Sequence, residues 1–129
     1  MIVRNDELPL FELPGIRHRT IAGHAQGVQT MEVWLQTMEP RSVTPVHRHA
    51  CEEVILVLSG SGLVTIEGHT QPFGPHSTLI VPPDAVHQLE NPGDEPLQLV
   101  AALGAAPVRV RTEDGQPLPV PWAAPGAAD

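Results

Sequence analysis

Pro45-Val46-His47-Arg48-His49-Ala50-Cys51-Glu52-Glu53, running on through Val54-Ile55-Leu56-Val57-Leu58 to Ser59-Gly60, decides how the rest of this chain is read. His47, His49 and Glu53 all have odd numbers. On an extended strand, side chains of equal parity share a face, so two imidazoles and one carboxylate converge. Neutral imidazole nitrogen and ionised carboxylate oxygen are donors that divalent transition metals accept. His87, on a later strand, supplies a fourth donor. Glu52 has the opposite parity and points away unless a bulge intervenes. Cys51 reads as a buried inert thiol rather than an extra ligand.

Working outward, the apolar run after Glu53 is a strand with two apolar faces. Ile55 and Val57 lie on the donor side, and Val54, Leu56 and Leu58 on the other. Such a strand belongs inside a sandwich or at a subunit interface. Upstream, Gly27 to Met38 reads as a strand. Its Met31, Val33 and Leu35 face is expected to pack on protein, while Thr30, Glu32, Trp34 and Gln36 face solvent or a polar cavity. Downstream, Leu63–Ile66, Ser77–Val81, Val86–Leu89, Leu97–Leu103 and Val108–Arg111 are short strands between turn residues. Their spacing predicts an all-β sandwich or barrel. The strand core spans about 27–111 of a single domain covering 1–129. Residues 1–26 form an N-terminal edge segment, and 112–129 a Pro- and Ala-rich tail carrying Trp122.

Composition narrows the partners. The 129 residues carry 15 Asp+Glu against 7 Lys+Arg, a net charge of -8, and every cation is arginine. Such a surface repels phosphate backbones and anionic lipid, which excludes nucleic acid and membrane as partners. One cysteine precludes an internal disulfide, and no signal-peptide pattern opens the chain, so a cytoplasmic protein is expected. The 15 prolines and 11 glycines favour turns over long helices. His18, His24, His69 and His76 read as surface or turn histidines, and Asn91 as the anchor of a turn before Pro92.

The donor spacing matches a known family. His47-x-His49, Glu53 and Gly60 resemble the first cupin motif, and Pro82, His87 and Asn91 resemble the second. Arg41 and Asp84 stand where that pattern has glycine. The likeness covers most of the chain between Thr30 and Val100. It implies a double-stranded β-helix, or jelly roll, with metal in the barrel mouth.

Glu32-Val33-Trp34-Leu35-Gln36-Thr37, Thr44 to His49 and Cys51 to Val54 further resemble the auxin-binding proteins of plants, zinc cupins in which the metal receives the carboxylate of an indole acid. That resemblance implies that His47, His49, Glu53 and His87 hold the metal. Trp34, Gln36, Thr44 and Pro45 would line the pocket, and Trp122 would close over the ring. Ile55 stands where that family has an aromatic pocket residue. The retention tetrapeptide, glycosylation sequon and disulfide cysteines of those proteins are missing, and the C-terminal segment is shorter.

The expected function is therefore capture of a small, aromatic carboxylate at a metal centre. Zinc is the first choice of metal, with iron, manganese, nickel or copper as alternatives. A rival reading is a metal-dependent enzyme of the same fold, a dioxygenase or an isomerase or cyclase, for which Glu32 and Gln36 are acid–base candidates by parity alone. A third is a closed four-coordinate metal that merely ties strands together. The two-faced strand Val54 to Leu58 also suggests a homodimer.

Overall fold

A computed structural model describes residues 1–123. Among these residues ten strands form two antiparallel sheets. The first has six strands in the order β1 (Phe11–Leu13), β2 (Ile16–Ala22), β3 (Glu32–Met38), β10 (Leu97–Leu103), β5 (Glu53–Ser59), β8 (Thr78–Val81). The second has four, in the order β4 (Ser42–Val43), β9 (His87–Asn91), β6 (Gly62–Ile66), β7 (His69–Phe73). Met38, Ile55, Val57, Val64, Val81, Leu89, Leu97, Leu99 and Leu103 are buried in one continuous core drawn from both sheets. This is the all-β jelly roll expected from the sequence. No described helix is long and apolar enough to cross a membrane.

Local sequence explains the turns. Glu67 (φ 48°) and Gly68 (φ 80°) both take positive φ between β6 and β7. That is the two-residue hairpin geometry matching strand twist. Gly60 turns β5 into β6 at φ 85°, and a Cβ there would lie 2.4 Å from the carbonyl oxygen of Pro96. No other residue fits.

The two positions where arginine and aspartate replace a motif glycine keep the glycine conformation: Arg41 has φ 59° and Asp84 φ 61°. Asp84 follows Pro83 in a turn closed by Ala85 N–H to the Pro82 carbonyl at 3.2 Å. Proline before a positive-φ residue is the type II arrangement, and aspartate tolerates the left-handed region better than most residues. Arg41 has no such tolerance, and its ion pair with Asp94 is exposed and worth little. Arg41→Gly should therefore raise stability by on the order of 0.5 kcal/mol, backbone relief outweighing the added freedom of the unfolded chain. Asp84→Gly should gain less. Urea denaturation of the two variants checks the order.

The structure corrects several expectations. The face of β3 that turns inward carries Glu32, Trp34 and Met38, all buried, whereas Met31 is 40 % exposed and Val33 and Leu35 are half-buried. The apolar face looks outward because the inner one is built from an indole and a satisfied carboxylate. Residues 11–22 are not merely an edge wrap, since they form a hairpin through Pro14-Gly15 that pairs with β3. β7 was not foreseen either. It is a sheet edge, mostly exposed on both faces and containing Pro72, so it lacks the alternation that betrays a strand. Val108–Arg111 is not a strand, but Arg111 makes two isolated bridges, to Arg48 and to Pro117. Val108 and Val110 are nonetheless buried.

Candidate metal centre and adjoining cavity

His47 and His87 sit opposite one another as an isolated antiparallel pair. His47 N–H donates to the His87 carbonyl at 3.1 Å, and His87 N–H returns the bond at 2.9 Å. Mutual bonding puts both side chains on one face. His49 follows two residues later, its carbonyl accepting from Asp84 N–H at 2.8 Å. The chain then bends at Ala50 and Cys51 before Glu53 opens β5. Donors expected on one continuous strand thus converge through a bend, and the centre joins both sheets. Glu52 is exposed, as parity required.

Ligand-donor atoms of His47, His49 and His87 all lie within 4.8 Å of one another. Glu53 Oε1 is 3.3 Å from His49 Nε2 and 3.2 Å from His87 Nε2. Each imidazole is oriented by a backbone carbonyl: Nδ1 of His47 to Pro45 at 2.7 Å, of His49 to Cys51 at 2.9 Å, of His87 to Ala85 at 2.8 Å. A carbonyl only accepts, so each Nδ1 carries a proton and each Nε2 is left to other partners. Backbone carbonyls hold metal-ligating histidines in this way. Cys51 contributes its carbonyl, and its sulfur lies 3.6 Å from His49 Nδ1.

The electrostatics at this point favour positive charge. His87 Nε2 is buried without a hydrogen-bond partner among the described residues, although a carboxylate oxygen lies beside it. Two lone pairs 3.2 Å apart repel unless a positive charge lies between them. A proton fills part of this role at His49. Burial pulls its imidazole down, but bonds to Cys51 and Glu53 outweigh burial and raise it to about 10. Burial raises Glu53, yet the bond from His49 and the imidazoles beside it hold it at about 2. His47 is lowered to about 4 by burial and by His87. Ionised glutamate and imidazoles aimed at one point suit a divalent metal.

Trp34, Gln36, Thr44, Pro45, Ile55 and Trp122, all expected at a pocket, line one cavity with His47, Glu53 and His87. Its further walls, absent from the sequence reading, are apolar and include Leu89, Leu99, Val110 and Val120. Free space is about 50 Å³, enough for a few waters but not for an aromatic ring. Trp122 forms one of its walls. Its indole is edge-on to Trp34 at 5.8 Å, and its Nε1 is buried with no partner among the described residues.

Glu32 is spoken for, because Oε1 accepts from Trp34 Nε1 at 2.8 Å and Oε2 from Val108 N–H at 2.7 Å. It orients the Trp34 indole and secures the C-terminal segment rather than facing the cavity. Asn91 Nδ2 donates to the carbonyls of Met38, Glu39 and Glu95, the turn-anchoring role expected.

His18 overturns its expectation as a surface residue, for it is fully buried. Its ring stacks on Trp122 at 3.9 Å and 9°, and Gln36 Nε2 donates to its Nδ1 at 2.9 Å. The available signal was register, since His18 shares parity with Ile16 and pairs with Gln36.

A jelly roll with three histidines and a glutamate gathered at its mouth defines a cupin with a candidate metal site. Solved structures agree on the fold. A polyketide cyclase from Streptomyces resistomycificus aligns with TM-score 0.73 and 20% identity over 84% of this chain and 83% of its own. A cupin 2 domain-containing protein from Halorhodospira halophila aligns at 0.70 and 26%, over 78% and 72%.

Sequence places the chain more narrowly: residues 2–124 match the auxin binding protein family, and the chain belongs to it. Auxin-binding protein 1 of Arabidopsis thaliana is 40% identical over 122 residues, 84% of this chain and 62% of the relative. Auxin-binding protein T85 of Nicotiana tabacum is also 40% identical, over 92% of this chain and 71% of its own. The chain thus spans roughly two thirds of the length of these curated relatives.

Proposed function

We propose that this protein binds a small aromatic carboxylate at a divalent metal held by His47, His49, Glu53 and His87. The observation that carries the reading is the unpartnered His87 Nε2 beside Glu53, at the base of an apolar cavity walled by two tryptophans. A cation held there, zinc foremost, supplies positive charge and open coordination positions for an anionic group. The names of the curated relatives support an auxin-like ligand, an acid whose ring would lie between Trp34 and Trp122. Trp122 shifts along its stack on His18 to admit it, which frees its buried N–H, without a partner among the described residues, to find one.

A thermal-shift series tests this. With zinc present, indole and phenyl carboxylates should raise the melting temperature of the wild type and leave His49→Ala unmoved. Trp122→Ala should respond to acetate and phenylacetate alike. Equal shifts in wild type and His49→Ala would refute metal-mediated capture. Oxygen uptake with catechols or flavonols would instead favour the enzyme reading.

The proposed setting is the cytoplasm, with neither nucleic acid nor membrane as partner. The proposed assembly is a homodimer joined through the outer face of β5 and β8, where Leu56 (43 %), Leu58 (44 %) and Ile80 (59 %) are exposed. Light scattering should return twice the chain mass, and Leu58→Asp the mass of one chain.

A further inference from the structure

His18 is a fully buried titratable side chain that the proposed metal capture does not use, and it touches two of the cavity's walls without lining the cavity itself. Gln36 Nε2 can only donate, so His18 Nδ1 accepts at 2.9 Å, and its protonated Nε2 donates to Thr20 Oγ1 at 2.7 Å. Both nitrogens are thereby used and the imidazole is neutral. One ring face stacks on Trp122, and its edge meets Trp34 at a centroid distance of 5.1 Å. β2 and β3 place His18 opposite Gln36, so the contact belongs to the sheet register.

We infer that His18 is a positioning residue for ligand selectivity, fixing the polar handle of the cavity through Gln36 and its aromatic wall through Trp122. The inference rests on the reading of the cavity as a carboxylate site. Removing the stack should cost the ring of a ligand. Removing the acceptor should loosen Gln36 and affect ligands with and without a ring alike.

Two substitutions separate these arms in the zinc-loaded protein, with phenylacetate and acetate as probes. His18→Gln keeps a hydrogen-bonding side chain and loses the stack. It should weaken phenylacetate about tenfold and acetate less than twofold. His18→Phe keeps a flat ring and loses the acceptor. It should weaken both probes about fivefold, leaving their ratio unchanged, and adding Gln36→Ala should cost nothing more. Zinc affinity should stay within twofold throughout.

An unchanged probe ratio in His18→Gln, or a parallel loss of zinc affinity, overturns the inference. If His18→Gln does not fold, His18→Asn also removes the stack and is read by the same ratio. If wild type binds neither probe, the carboxylate reading fails alone, and Trp122 emission decides on His18. In a Trp34→Phe background, His18→Gln should red-shift that emission and His18→Phe should not. Identical spectra from the two would overturn the positioning role.

Discussion

His87→Ala is expected to abolish tight zinc binding, weakening it at least a thousandfold, and with it the stabilisation that metal confers. Three imidazoles and one carboxylate already face one point, each ring oriented by a carbonyl, so the chain does little work to form the site when metal arrives. Metal bound only to the folded state stabilises it by about 4 kcal/mol at a thousand times Kd. For a chain of this size the melting temperature should rise on the order of 10 °C.

His87→Ala leaves Glu53 with one imidazole neighbour and the metal with three donors at most. The wild type should lose its gain on treatment with a chelator, while the variant should melt identically with zinc or chelator. Zinc titration followed by calorimetry checks both. A proton competes for the same groups, since His49 retains one up to about pH 10 beside Glu53. Zinc binding near neutral pH should therefore release protons, and affinity should fall as pH falls.

The gathering of His47, His49, Glu53 and His87 was legible in the sequence because their chemistry is rare and their spacing short. Even the choice of Glu53 over Glu52 followed from parity, although a bend at Ala50 and Cys51 rather than a continuous strand brings the donors together. Burial was read less well, and for one physical reason. Alternation of apolar and polar residues reports the inner face only when that face is apolar. β3 buries Glu32 by satisfying both its oxygens, and its apolar alternate face looks outward.

β2 hides in the same way. Arg17 is outward, and His18 passes for polar until Gln36, Thr20 and Trp122 are seen around it. The pocket residues Thr44 and Pro45 precede His47 by two or three positions, so the motif carried them along. Leu89, Leu99 and Val110 carry no chemical signature and needed the fold to place them.

Acid should destabilise the native state through His18 itself. Burial lowers its imidazole from 6.5 to about 3, so between those values the unfolded chain holds a proton that the native chain refuses. The sign follows directly. The stability contributed by neutral His18 is fully present above about pH 6.5 and is lost progressively as pH falls toward 3. Each pH unit in that window costs about 1.4 kcal/mol, or about 2 kcal/mol by pH 5.

His47 and Glu53 also titrate in acid, and a difference curve removes them. His18→Gln should be less stable than wild type at pH 7.5, and the gap should narrow by about 2 kcal/mol at pH 5, because glutamine takes up no proton in either state. Urea unfolding of both metal-free proteins across that range measures it. A gap independent of pH would mean that the native imidazole is charged, and so that the Gln36 bond to its Nδ1 does not form in solution.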